Sequence, residues 1–132
     1  MRRHPHRPGP SWGDDTGAVV VESLTFVLPM AAVTFFALLQ FALWGLALLG
    51  ARDAADGGAC DAAAYGATAR DGQTSATTRL DNIAGQLLRD PRVTAARDAT
   101  TAQVTVSGDS PLIHLPVGWT AVCPLERFTP GG

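Results

Sequence analysis

Few residues in this chain are of types that do chemistry. Cys60 and Cys123 are its two thiols. No Cys or His lies at short spacing from either, so a structural zinc site is excluded and no metal is expected. In an oxidising compartment the natural reading is one long-range disulfide; otherwise they are two buried thiols. Glu22 is the second candidate. It is an acid at the leading end of a stretch, residues 23–51, that holds no charge. A carboxylate in an apolar helix costs roughly 2.5–3.5 kcal/mol on insertion scales, so it reaches water near the interface or has a partner. Gly17 stands five positions before it. His4 and His6, split by a single Pro, read as polar filler in a tail rather than as metal ligands. His114 has no Cys nearby and no acid at motif spacing. Ser107 and Ser110 lack a nucleophile-elbow context, and Asp109 and Glu126 are isolated carboxylates. There is no phosphate loop, no Gly-x-Gly-x-x-Gly and no basic-aromatic patch. The chain is expected to be no enzyme, with no cofactor, no nucleic acid and no small-molecule substrate.

The elements that position these residues begin with the apolar run, residues 17–50. A helix rises about 1.5 Å per residue, so this run is long enough to cross a hydrocarbon layer about 30 Å thick. Residues 1–17 carry Arg2, Arg3 and Arg7, with Pro5, Pro8 and Pro10, and are expected to be a disordered basic leader. Basic flanks stay in the cytoplasm, which predicts the N-terminus inside and the C-terminal part outside. A secretory signal peptide is the first competitor. Its apolar core is usually about 7–15 residues, half of this run, although Gly45-Leu46-Ala47 could pass as a cleavage triplet. Within the helix, Pro29 is expected to produce a bend through its missing N–H. Gln40 could bond a neighbouring helix, and Trp44 suits an interface.

The expected organisation is a leader at 1–17, a transmembrane helix at 18–50 and a small extracytoplasmic α+β domain at 51–132. The net charge of −2 offers no global basic field. Residues 51–69 are Ala-rich and continue the helix, with weakening at Gly57-Gly58. Arg70-Asp-Gly-Gln reads as a stop and turn. Residues 75–88 read as a second, amphipathic helix capped by Ser75 or Thr74, with Leu80, Ile83, Ala84 and Leu87 as its apolar stripe. Asp90-Pro91 ends it. Three short strands follow, at residues 92–96, 101–107 and 119–123, expected as a three-stranded antiparallel sheet. Trp119, Ala121 and Cys123 share one strand face, so Cys123 points to the core, where Cys60 could meet it.

The stretch Gly17-Ala-Val-Val-Val-Glu22 resembles the cleavage signal of type IV prepilins: a Gly, a cut, and a Glu as fifth residue of the mature chain. GAVVVESLTFVLP more closely resembles the TadE-like family, minor pseudopilins of tight-adherence (Flp-type) pilus systems. Residues 13–50 carry the stronger match. Residues 52–70 and Glu126-Arg-Phe-Thr-Pro130 are a looser one. Ser23 departs from the aromatic residue that follows the Glu in many pilins. The resemblance implies that a membrane prepilin peptidase cuts between Gly17 and Ala18, leaving 115 of the 132 residues. It implies that Glu22 pairs with the new Ala18 amine, its own or a neighbour's, and sets register among packed helices. The partners it implies are the membrane, the peptidase and other pilus or secretion-system membrane proteins and pseudopilins. The alternative is an uncleaved signal-anchored protein whose outer domain binds another envelope component.

Overall fold

Along the helical run the described side chains stay exposed through Leu39, and burial begins at Gln40. The computed structural model describes Pro5, Gly9, residues 15–127 and Pro130, with the side chains of 15–19 excepted. Expectations for the other residues of 1–14, including His4 and His6, lie outside the described residues. Helix α1 spans Asp15–Ala63 and helix α2 spans Ala69–Ala84. Strands β1 (Arg89–Arg97), β2 (Thr101–Asp109) and β3 (Pro116–Pro124) form one antiparallel sheet in the order β1-β2-β3. The fold is α+β, with a long apolar N-terminal helix, a second helix and a three-stranded sheet.

Two units make up the chain, Met1–Leu38 and Leu39–Gly132. In the first, every side chain described from Val20 to Leu38 is exposed, apolar ones included. In the second, burial on α1 starts at Gln40 and continues through Ala47, Ala51, Ala54, Ala55, Ala59, Ala62 and Ala63. The bare part of the helix therefore ends near residue 39, well before the expected boundary at 50. Its about 20 exposed residues span about 30 Å. At the other end, α1 begins at Asp15, so three residues assigned to the leader are helical. The helix also runs on through Gly57-Gly58 to Ala63.

Those glycines are kept for contact with α2. The two helices pack antiparallel, Gly50 against Ala84, Gly58 against Ala76 and Ala62 against Gly72. A Cβ at Gly58 would stand 2.7 Å from the Ala76 Cβ, and one at Gly72 would stand 2.6 Å from the Gly58 carbonyl oxygen. This close approach corrects the reading of α2. The helix starts at Ala69, not at residue 75, and Asp71-Gly72 lies in its first turn instead of in a connecting turn. Thr68 is the N-cap. Its N–H donates to Asp71 Oδ2 (2.7 Å) and its Oγ1 accepts from the Asp71 N–H (3.3 Å), a capping box. These Thr68 bonds hold the Asp71 carboxyl below its ordinary range. Ser75, expected as a cap, instead donates to Asp61 of α1.

The buried stripe of α2 is Gly72, Ala76, Leu80 and Ala84, spaced by four. Ile83 is 53% exposed, and Leu87 lies beyond the helix end. Small residues win this face because the opposing face of α1 is itself Ala and Gly. Gly72→Val should cost roughly 1–3 kcal/mol or more through overpacking against Ala62 and the Gly58 carbonyl. The denaturation midpoint of the purified chain checks this, with the solvent-facing Thr77→Val as the near-neutral comparison.

The strand pattern is close to expectation. Ala102, Val104 and Val106 of β2 are buried, and so are Val117 and Ala121 of β3. Trp119 and Cys123 lie half-buried on the same β3 face. Asp90-Pro91, expected to stop α2, lies instead within β1 at a register shift between Arg89 and Arg92, with Asp90 at φ 48°. The helix has already ended at Ala84, where the Leu87 N–H bonds the Ala84 carbonyl (2.8 Å). Pro cannot donate to a ladder, and a bulge is where a strand tolerates it.

At the β1–β2 turn, Asp98 Oδ1 accepts from the backbone N–H of Thr100 (2.7 Å) and Thr101 (2.7 Å). These bonds, with those from the two hydroxyls, lower its pKa from 3.8 to about 2. The folded pKa is depressed, so its stabilisation is complete above the unfolded value and is lost as pH falls through the folded one. The wild-type melting temperature should therefore drop between about pH 4 and pH 2. Asp98→Asn keeps an acceptor without the titration and should flatten that limb of the profile.

Candidate functional site

Gly17 and Ala18 lie in the first turn of α1, which begins at Asp15. Glu22 follows four residues after Ala18, a spacing that returns to the same helix face. The Glu22 side chain is exposed and enters none of the ion pairs among the described residues, which are Arg52–Asp56 (3.6 Å) and Asp61–Arg79 (3.6 Å). Pro29 lies inside α1, and the hydroxyls of Thr25 and Thr34 donate to the carbonyls of Val21 (2.8 Å) and Met30 (2.8 Å). From Val20 onward α1 is long and apolar enough to cross a membrane.

Cys60 and Cys123 stand at disulfide distance, with Cα atoms 5.1 Å apart and a sequence separation of 63. They meet because α1 stays helical to Ala63, placing Cys60 in its last turn, while β3 carries Cys123 to the same end of the unit. Ala62, Ala63 and Ala102 form a small cluster there with Cys123 and Leu125. The Glu126 N–H bonds the Ala63 carbonyl (3.1 Å) and the Leu125 N–H bonds the Thr100 carbonyl (2.9 Å). Cys60 is exposed and Cys123 half-buried, so the alternative of two buried thiols does not describe this pair.

Some contacts had no signal in the sequence. Arg52 of α1 stacks over the Trp119 ring of β3 (5.1 Å to the centroid), and the Gln73 side chain donates to the Val93 carbonyl (2.9 Å), tying α2 to β1. Both join residues that are far apart in the chain. Gln40 is 7% exposed and its Nε2 has no hydrogen-bond partner. His114 is exposed in the β2–β3 loop. Among the described residues, no three His, Cys, Asp or Glu side chains gather into a set that could hold a metal ion. The sequence does carry a signal for this loop: it is a charge-free apolar run, Pro-Leu-Ile-His-Leu-Pro, where loops are ordinarily polar.

No family model, curated protein or solved structure matches this chain. The fold and site define the protein by architecture: one helix long and apolar enough to cross a membrane, and a small α+β unit that holds a cysteine pair at disulfide distance.

Proposed function

We propose that the chain is a membrane-anchored assembly protein, a minor pseudopilin of TadE-like type that serves a tight-adherence pilus or a related secretion machine. It is read as non-enzymatic. It would cross the membrane once with its N-terminus in the cytoplasm, and a prepilin peptidase would cut it between Gly17 and Ala18. The observation that carries this reading is the bare apolar segment from Val20 to about residue 39, which opens beside the Gly17–Glu22 spacing and holds one acid that enters no ion pair among the described residues. A subunit that must leave the bilayer and pack its helix against others needs this combination: an apolar surface for lipid and later for neighbours, and a charge to set register.

The mature N-terminus tests it. Intact-mass measurement on membrane-extracted protein is expected to give a chain starting at Ala18. A start at Met1 supports the uncleaved anchor, which is favoured by one observation: the Gly17–Ala18 bond lies within α1, and a helical bond must unwind before a protease reaches it. Release near Leu48 by signal peptidase is disfavoured on packing grounds, because it would remove Gln40, Trp44 and Ala47 from the folded unit. Glu22→Ala is expected to leave membrane insertion intact and to reduce assembled fibres severely, read by surface pilus yield against the membrane-fraction level of the protein. Normal pilus yield from Glu22→Ala sinks the register role.

A further inference from the structure

The β2–β3 loop exposes Leu112 (56%), Ile113 (49%) and Leu115 (45%), and no charged residue lies between Asp109 and Glu126. The loop is not slack. The Ser110 N–H bonds the Leu115 carbonyl (2.9 Å), the Leu115 N–H bonds the Ile113 carbonyl, and Ser110 is buried at its base. Three aliphatic side chains are thus held outward by a closed turn.

Its place in the folded unit gives it meaning. Near the cysteine pair, Ala102 at the start of β2 packs with Ala62 and Ala63. At the other end, Gly108 lies against Leu88, whose Cδ2 would be 2.8 Å from a Cβ at that position. Leu88 follows α2, whose last residue Ala84 meets Gly50. Strand β2 therefore runs from the Cys60 end of the unit toward the end at which α1 enters it. The loop that follows β2 therefore lies toward that end, where Trp44 and Leu48 pack on the same core cluster as Leu88 and Val117.

We propose that this loop is a membrane wedge: Leu112, Ile113 and Leu115 enter the interfacial layer of the leaflet from which α1 emerges. The proposal rests on the membrane reading given above. Trp44, half-buried at the same end of the unit, has a side chain suited to that layer. A lipid surface is the occupant that the site fits, because the exposed group is aliphatic, uncharged and located at the end from which a membrane-length helix extends. The wedge gives the folded unit a second attachment besides α1 and fixes its orientation on the bilayer.

Site-directed spin labelling of the full chain tests this, in nanodiscs of phosphatidylethanolamine and phosphatidylglycerol. Labelling without reductant leaves the Cys60–Cys123 pair closed. Labels at Ile113→Cys, at Phe35→Cys in the bare helix and at Val122→Cys on the outer sheet face are compared for collision with oxygen and with a nickel chelate. The expected result is an oxygen-to-nickel ratio at position 113 several-fold above that at 122 and approaching that at 35. A water-like ratio at 113 with a lipid-like ratio at 35 overturns the wedge and leaves the membrane reading standing. A water-like ratio at 35 removes both. A label at 113 shielded from both probes indicates a protein contact there and also overturns the wedge.

Discussion

Gly17→Val is expected to leave the chain at its full 132 residues when it is expressed with a prepilin peptidase, while the unaltered chain shortens to a form starting at Ala18. Two effects act together. A protease must draw the backbone on either side of the cut into its catalytic acids, and a side chain at the leaving position obstructs that approach where glycine does not. The bond also lies in the first turn of α1, so it must unwind first. Glycine weakens a helix by about 1 kcal/mol relative to Ala, which lowers the cost of opening that turn. Valine removes both advantages, and processing should fall to background. Intact-mass spectrometry of the membrane fraction reads the outcome, with Ala18→Ser as a comparison expected to remain a substrate. Processing of Gly17→Val at the unaltered rate would remove the main support for the pseudopilin reading.

Breaking the Cys60–Cys123 cross-link is expected to have the largest effect on stability. Closing a loop of 63 residues contributes about 4 kcal/mol in the chain-entropy account. Domains of this size have only about 5–15 kcal/mol in total. The core has little in reserve, because most of its buried residues are Ala, with Leu80, Leu88, Val104, Val106 and Val117 as the larger contributors. The paired Cys60→Ala and Cys123→Ala variant should melt roughly 15–30 °C lower than the oxidised chain, and dithiothreitol should reproduce the shift. Circular dichroism at 222 nm reads both. An unchanged midpoint would show that the link between Glu126 and Ala63 and the surrounding packing hold that end of the unit without the cross-link.

What could be read from the chain alone was what local pattern encodes. The uncharged run, the alternation of Ala102, Val104 and Val106, and the face shared by Trp119, Ala121 and Cys123 are one-dimensional signals, and each gave its element. Reading failed where a residue's role depends on a partner distant in sequence. Arg70-Asp-Gly-Gln has the composition of a turn, yet the Thr68–Asp71 capping box starts a helix there and Gly72 is required by Ala62 on α1. Ile83 fits a helical stripe, but the surface it would face is taken by Ala84 against Gly50, and it is left exposed. Asp90-Pro91 looks like a helix stop and sits at a register shift within β1, because the strand around it pairs with β2.

The sequence by itself determined that one end of this protein is an apolar helix and that its remainder is a helix followed by strands, since hydrophobic period and charge exclusion are properties of neighbouring residues. Only the tertiary structure decided where that helix stops being bare, which glycines are contacts, and that Cys60 and Cys123 come within disulfide distance. It also decided that Leu112, Ile113 and Leu115 stand exposed. Burial is a relation between surfaces brought together by the fold, and no local pattern records which surfaces those will be.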